Sequence, residues 1–245
     1  MSSSTSPRRG PWGRILAADP EPIGDDTWVI RASLPRHGIN VFLVREDDGV
    51  VCFDTGSREL AGELRRLAAG HGGISRVVLS HAHYDHRGCA RRLGAPVYCH
   101  PAERAFAERR TYDAILPGAS TLKILRVHLM GALRDAGPVS IAGTVQEGDR
   151  VGSYTVVELP GHTPGQIGLW READRTVLAA DCFYTLNEHT AGYPYSIYGQ
   201  DDQQAAASVR RIIDLEPAVA WPGHGPALRG DVRGPLQRAL ATKGH

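Results

Sequence analysis

The feature that most constrains this chain is a cluster of metal-ligand-type residues that follows a short apolar segment. Residues 80–86 read Ser-His-Ala-His-Tyr-Asp-His, which contains the pattern H-x-H-x-D-H. In an extended chain, side chains at positions i and i+2 share a face, so His81 and His83 can reach one ion. If the chain then turns into a helix, Asp85 and His86 point towards a second position. Imidazole and carboxylate groups are preferred ligands of Zn²⁺ and similar ions, so the cluster predicts a metal centre.

Three more ligand-type residues stand at the ends of predicted strands. His162 and His224 each lie in a Pro-Gly-His turn, and Asp181 follows an apolar segment. Tight Pro-Gly turns hold the backbone where a ligand must be fixed, and rigid loops commonly carry function. The sequence therefore predicts seven ligands for two metals. They form two groups of three with one bridging carboxylate: His81, His83 and His162; Asp85, His86 and His224; and Asp181 as the bridge.

The alternation of short apolar segments with turns predicts the fold class. Strand-like segments come in two groups, one ending at Cys99 and one starting at Val139, and helical segments accompany each group. This order predicts two stacked mixed sheets with helices on the outside. We expect a flexible tail over residues 1–22 and a single domain over 23–245. An apolar segment between prolines predicts an insertion at about 111–138.

Composition and charge exclude several classes of function. The formal net charge is +1, so no overall field attracts the chain to nucleic acid or to an anionic membrane. No apolar run approaches the roughly 18 residues needed to span a bilayer. The four cysteines lie far apart and no secretory signal is evident, which predicts reduced thiols in the cytoplasm. We therefore expect a small-molecule substrate and no nucleic-acid or membrane partner, and a homodimer stays open.

The order of these motifs resembles the metallo-β-lactamase superfamily, from about Ile23 to Arg238. The resemblance implies an α/β fold, a four-layer αβ/βα sandwich of two mixed β-sheets with two metal ions at one edge. Zinc is the expected metal, with iron, manganese and cobalt as alternatives. The Asp-Thr-Gly turn at 54–56 is also a feature of the family. There Asp54 would support a metal ligand through a hydrogen bond.

The predicted ligand set favours a hydrolase of ester-like bonds. Two metals with a bridging carboxylate normally share a water whose pKa falls towards neutrality, which provides a bridging hydroxide nucleophile. The superfamily's true β-lactamases carry Cys or Ser at the position of Asp181, which disfavours a β-lactam substrate. Glyoxalase II-type thioesterases carry a C-terminal helical domain, for which residues 225–245 are too few. Iron persulfide dioxygenases use one metal, whereas both groups of ligands are complete here.

Within the superfamily, the chain most resembles the N-acyl homoserine lactonases, in which a tyrosine follows the bridging aspartate by three residues. Asp181-Cys-Phe-Tyr184 has that spacing. The resemblance implies that the Tyr184 phenol hydrogen-bonds the lactone, and Asp85 and Tyr184 are the candidate catalytic residues. Thioester hydrolysis is the alternative, followed by β-lactam hydrolysis, persulfide dioxygenation and metals of purely structural role. Three more tyrosines predict a pocket-lining loop: Tyr193, Tyr195 and Tyr198.

Overall fold

A computed structural model describes residues 20–32, 38–109, 121–193 and 201–242, and these residues form two β-sheets and a separate hairpin. The first sheet has seven strands, in the order β1 to β7: β1 (Glu21–Pro22), β2 (Thr27–Ala32), β3 (Ile39–Glu46), β4 (Gly49–Phe53), β5 (Ile74–Val78), β6 (Val97–Cys99) and β7 (Ile141–Thr144). Strands β1 to β4 pair antiparallel, and β4 to β7 pair parallel. The first sheet is therefore mixed.

The second sheet has six strands in the order β15-β14-β11-β10-β9-β8. Its members are β8 (Arg150–Val151), β9 (Tyr154–Glu158), β10 (Ile167–Arg171), β11 (Thr176–Leu178), β14 (Val219–Trp221) and β15 (Leu228–Arg229). Only β11 and β14 pair in parallel among these strands. The hairpin consists of β12 (Tyr184–Asn187) and β13 (Thr190–Gly192).

Six helices lie between these strands along the described parts of the chain, and a seventh follows the last strand. They are α1 (Ala61–Ala69), α2 (Tyr84–Arg87), α3 (Ala90–Leu93), α4 (Arg104–Ala107), α5 (Thr121–Arg134), α6 (Asp202–Asp214) and α7 (Arg233–Ala241). Short 3₁₀ turns precede α1 and α4, and a third covers Ala180–Cys182. No helix in the parts of the chain that the structure describes is long and apolar enough to cross a membrane.

The central strands are apolar on both faces because each sheet is covered on both faces, by the other sheet on one side and by helices on the other. In β3, Phe42 and Val44 belong to the core between the two sheets. Their neighbours Val41 and Leu43 point the other way, into the core under the first group of helices. Successive side chains of a strand point to opposite faces, so a strand covered on both sides is an uninterrupted apolar run.

Helices cover the outer face of each sheet. Leu64 and Ala68 of α1 pack in the core outside the first sheet. Val209 and Ile212 of α6, with Leu236 of α7, pack in the core outside the second sheet. The result is the predicted four-layer arrangement of helices, sheet, sheet and helices.

The predicted helix over Tyr84–Leu93 is interrupted in the structure. It forms α2 and α3, and Cys89 between them has φ −108° and ψ 0°. The Cys89 amide donates to Thr55 Oγ1 (3.3 Å), and its thiol donates to the Thr55 carbonyl (3.1 Å). These contacts with a distant turn replace helical hydrogen bonds, so the helical prediction was wrong at its centre.

Two other segments differ from the predicted elements. The two strands predicted between Val139 and Glu147 are one strand, β7. The hairpin of β12 and β13 was not predicted, because its exposed positions lack a clear apolar alternation. The predicted insertion over 111–138 is in part the helix α5, and its residues 111–120 lie outside the described residues, as do Tyr195 and Tyr198.

A buried ion pair joins α2 to the end of α5. The guanidinium of Arg87 lies 2.7 Å from the carboxylate of Asp135, and both side chains are at most 2% exposed. The remaining Arg87 donors reach the carbonyls of Phe106 (2.5 Å), Ala107 (2.9 Å) and Arg109 (3.1 Å). Because every partner lies outside α2, this arginine fixes α2 to two later segments of the chain, residues 106–109 and Asp135.

We expect Asp135→Ala to lower the free energy of unfolding by about 3–5 kcal/mol, because it leaves the Arg87 charge buried without its counterion. Urea denaturation monitored by circular dichroism measures this loss. The exposed pair of Arg31 and Glu21 is the control, and Glu21→Ala should cost no more than about 1 kcal/mol. Equal losses in the two variants would contradict this assignment.

Candidate metal centre

The candidate ligands lie where strands of both sheets end at the same edge. Because β4 and β5 are parallel neighbours, their carboxyl ends meet, and so do those of β11 and β14. Strand β9 runs in the same direction as β11, since each is antiparallel to β10. The loops after these strands carry the candidate residues in this order: Asp54 after β4, His81 to His86 after β5, His162 after β9, Asp181 after β11 and His224 after β14.

Three histidines converge at the first position. Nε2 of His81 lies 3.0 Å from Nδ1 of His83, and Nε2 of His162 lies 3.0 Å from the same atom. All three side chains are buried, and one nitrogen of each lies within 4.8 Å of the others. This is the first of the two groups expected from the sequence.

The second position brings together Asp85, His86 and His224, with Asp181 between the two groups. Nε2 of His224 lies 3.5 Å from Oδ2 of Asp85 and 3.5 Å from Oδ2 of Asp181. Oδ2 of Asp181 also lies 3.4 Å from Nε2 of His162, a member of the first group. One carboxylate therefore faces both groups, as a bridging ligand would.

The facing atoms of His86 and Asp181 fit a metal ion better than a hydrogen bond. Nε2 of His86 lies 3.2 Å from Oδ1 of Asp181, yet neither atom makes an aligned hydrogen bond to the described residues. Nitrogens held at about 2.0–2.1 Å in a tetrahedral zinc site are about 3.3 Å apart, close to the spacings seen here. Buried polar atoms that face a common point without pairing indicate room for a cation.

Burial keeps the first group in the protonation state that a metal requires. Burial, followed by the neighbouring imidazoles, holds the pKa of His81 and of His83 well below the usual value. Burial also lowers the pKa of His162, although the Asp181 carboxylate opposes it. Neutral imidazole is the ligating form, so these three side chains are ready to bind a cation near neutral pH.

The second group is dominated by carboxylates. Burial alone would lower the pKa of His86, but the charges of Asp181 and Asp54 raise it well above the usual value. The pKa of His224 is raised in the same way, by Asp181 and Asp85 against the effect of burial. Burial would raise the pKa of Asp181, yet His224 and His86 hold it well below the usual range. The same carboxylates that raise the pKa of these imidazoles would also attract a metal cation bound between them.

Asp54 and Ser80 orient two of the candidate ligands, His86 and His81, through contacts with their Nδ1 atoms. Asp54 Oδ2 lies 2.8 Å from Nδ1 of His86, which leaves Nε2 to face Asp181. Asp54 also accepts hydrogen bonds from the Ser80 amide (2.8 Å) and hydroxyl (2.7 Å). The Ser80 hydroxyl in turn lies 3.0 Å from Nδ1 of His81. A carboxylate behind a ligating histidine fixes its ring and tautomer, which is the role expected for Asp54.

Asn40 holds the His224 turn and was not identified from the sequence. Its side-chain amide donates to the carbonyls of Pro222 (2.9 Å) and Gly225 (2.8 Å), on both sides of His224. A Cβ on Gly223 would overlap the Asp181 carboxylate, so only glycine fits at that position. A buried polar residue at the start of an apolar strand is the one sequence signal that could have indicated Asn40.

Tyr184 directly precedes a residue that contacts the backbone of His224, a member of the second group. The amide of the next residue, Thr185, donates to the carbonyl of His224 (3.0 Å). The Tyr184 ring lies against Gly192 of the paired strand, where any Cβ would overlap it. The hairpin is therefore joined to the loop of His224 by its backbone, and the Tyr184 ring packs on Gly192 of the same hairpin.

The metallo-β-lactamase superfamily model matches residues 34–224, which include every candidate ligand. The chain belongs to the metallo-β-lactamase superfamily. The two mixed sheets and the strand-end ligands are the arrangement that the resemblance implied, so the predicted family and fold are confirmed.

Among the relatives of this superfamily member is the probable metallo-hydrolase YflN of Bacillus subtilis (strain 168). It is 25% identical over 219 residues, which cover 78% of this chain and 82% of YflN. An uncharacterized protein of Mycobacterium leprae (strain TN), ML0493, is 30% identical over 192 residues, or 74% of this chain and 83% of that protein. Together with the family match, the similarity to the probable metallo-hydrolase YflN supports a metal-dependent hydrolase.

Solved structures show the same fold. The metallo-β-lactamase family protein TTHA1429 of Thermus thermophilus aligns with a TM-score of 0.69 at 21% identity, over 91% of this chain and 81% of its own. TTHA1623, solved in a di-iron-bound form, aligns with a TM-score of 0.63 at 26% identity, over 85% of this chain and 97% of its own. TTHA1623 therefore has this fold and was solved with two irons bound.

We expect Asp54→Asn to weaken metal binding about 10- to 100-fold, because an amide nitrogen replaces the oxygen that faces His86 Nδ1. Chelator competition measures the affinity. The melting temperature of the metal-free variant is the control for folding, since asparagine keeps the acceptor for the Ser80 amide. Unchanged affinity in a folded variant would mean that Asp54 does not orient His86.

Proposed function

We propose that this superfamily member is a dinuclear metal hydrolase that opens lactones of the N-acyl homoserine lactone type. The observation that carries the dinuclear part is the Asp181 carboxylate, which lies within 3.5 Å of one histidine from each group, His162 and His224. We assign His81, His83 and His162 to one metal and Asp85, His86 and His224 to the other.

The chemistry of the donor set supports zinc, with iron, manganese or cobalt as alternatives. Five imidazoles and two carboxylates form a nitrogen and oxygen set without thiolate, which suits each of these ions. When bound, the metals supply Lewis acidity for a substrate carbonyl and for a water nucleophile. The di-iron form of TTHA1623 supports a two-metal centre in a relative with this fold.

The chain's own residues would orient the ligands and the substrate. Asp54 accepts the Nδ1 proton of His86 and so keeps its Nε2 directed inward. The Asp85 carboxylate, partly exposed beside His224, lies where a proton can be received from a reacting group. Tyr184 supplies a phenol donor from the adjacent hairpin, which we assign to the substrate carbonyl.

The remaining parts of the proposal concern the chain as a whole. We assign residues 23–245 to a single hydrolase domain that acts on a small molecule with an activated carbonyl. The four cysteines are buried free thiols, which supports a cytoplasmic location. Burial raises the pKa of Cys89 and Cys99 to about 12, so these thiols are protonated and unreactive at neutral pH.

Metal stoichiometry tests the dinuclear assignment. The wild-type protein should bind about two divalent ions per chain, and Asp181→Ala should lose most of one equivalent because the bridge serves both positions. Elemental analysis after equilibration with zinc measures the ratio. A single tightly bound ion in fully loaded wild-type protein would contradict the dinuclear assignment.

Kinetics of Tyr184→Phe test the lactonase assignment. The substitution removes one hydroxyl and keeps the ring against Gly192, so both metals and the fold should remain. The kcat on the best lactone should fall roughly 10- to 100-fold, with little change in KM if the hydrogen bond strengthens in the transition state.

The kcat of Tyr184→Phe and of the wild type is compared on a panel of lactones, thioesters, β-lactams and aryl esters. The variant His83→Ala, which lacks a candidate metal ligand, is the inactive reference. Thioesters should lose less activity than lactones in Tyr184→Phe, since their better leaving group depends less on carbonyl activation. An unchanged kcat on every lactone would assign Tyr184 to packing alone. Preferred turnover of thioesters by the wild type would favour the alternative substrate class.

A further inference from the structure

A buried carboxylate outside the seven candidate ligands joins the two loops that carry the three-histidine group. Glu103 lies in the turn after β6 and is 1% exposed. Its Oε2 accepts a hydrogen bond from the amide of Ala82 (2.9 Å), the residue between His81 and His83. Its Oε1 accepts one from the amide of Gly165 (2.9 Å), in the loop of His162. Each carboxylate oxygen thus binds one of the two loops.

The loops come from different sheets, so their spacing is not set by strand pairing. His81 and His83 follow β5 of the first sheet, and His162 follows β9 of the second. A backbone hydrogen bond from Ile167 to Ser80 (2.9 Å) joins the bases of the two loops. The Glu103 carboxylate joins them at Ala82, next to His81 and His83, and at Gly165, three residues after His162.

His100 fixes the same turn to the second sheet. Its Nδ1 accepts a hydrogen bond from the Ala102 amide (3.2 Å), so the proton resides on Nε2, which faces the Glu158 carboxylate at 3.1 Å. Glu158 is the last residue of β9, from which the His162 loop begins. A Cβ on Gly165 would lie 2.6 Å from His100 Nδ1, so this glycine allows the loop to approach the turn.

Only a carboxylate satisfies both amides in this place. An ionised carboxylate is an acceptor at both oxygens, whereas a glutamine amide accepts at one atom and donates at the other. Burial raises the pKa of Glu103, while the hydrogen bonds from Ala82 and Gly165 act in the opposite direction. A buried carboxylate is costly unless it is hydrogen-bonded, and both oxygens of Glu103 accept hydrogen bonds from the two loops.

We propose that Glu103 is a positioning residue for the metal at the three-histidine group. It holds His162 at the correct spacing from His81 and His83, and so sets the affinity of that position relative to the other. This inference rests on the metal assignment made under the proposed function. Its effect is selective, because Glu103 touches neither the His224 loop nor the Asp181 turn by any hydrogen bond among the described residues.

Cobalt binding to Glu103→Gln tests the inference. The metal-free protein is titrated with Co²⁺ against a chelator, and the visible spectrum of each equivalent is recorded. We expect the affinity of one equivalent to fall about 10- to 100-fold with a changed spectrum, while the other keeps the wild-type affinity. Glu103→Asp keeps both acceptors on a shorter stem and should lose less, and it carries the test if Glu103→Gln does not fold.

The matched control is Glu108→Gln, the same substitution on an exposed residue after α4, which should bind both equivalents as the wild type does. Wild-type affinities and spectra in Glu103→Gln would overturn the inference. An equal loss at both positions, with a lowered melting temperature of the metal-free protein, would also overturn it, because Glu103 would then be structural only. If the wild type binds a single ion, the dinuclear proposal fails, yet weaker binding of that ion in Glu103→Gln would still support the positioning role.

Discussion

The interaction on which the centre depends is the contact of the His86 imidazole with two carboxylates, one on each ring nitrogen. Its Nδ1 lies 2.8 Å from Asp54, which follows a strand of the first sheet. Its Nε2 lies 3.2 Å from Asp181, which follows a strand of the second sheet. One ring therefore connects the two sheets at the edge where the ligands meet. Because the ring is fully buried, its orientation depends on these carboxylates rather than on water.

Residues that are neighbours along the chain, or that end strands, could be predicted from the sequence. The H-x-H-x-D-H pattern and the two Pro-Gly-His turns indicated six of the seven candidate ligands, and the end of an apolar segment indicated the seventh, Asp181, because strand ends and tight turns are local signals. The two mixed sheets followed from the order of apolar segments and from the resemblance. Strand β3 illustrates why this succeeded: its unbroken apolar run from Val41 to Val44 requires cover on both faces.

What the sequence did not show are the contacts between distant segments. Asn40 holds the carbonyl of Pro222, 182 positions later, and nothing in the residues near either one indicates the pairing. The ion pair of Arg87 and Asp135 and the two hydrogen bonds of Glu103 are of the same kind. Their distances depend on how the sheets stack, and periodicity describes only how a single segment is covered. His100, which lies outside the sequence motifs, makes another contact of this kind with Glu158.

The backbone beside the candidate ligands shows that the protein itself sets the positions of these residues. Asp54 and Ala180 both have left-handed φ angles, +62° and +47°. Aspartate tolerates this region, but for alanine it costs about 1–2 kcal/mol. Such strain persists only where surrounding contacts over-determine it, and the Ala180 carbonyl accepts a hydrogen bond from Gly223 at 2.6 Å. The His224 turn thus holds the backbone that carries Asp181. Asn40, for its part, holds the His224 turn. The ligands are therefore oriented by groups outside the ligand set, so a bound ion would meet a site whose geometry the fold already determines.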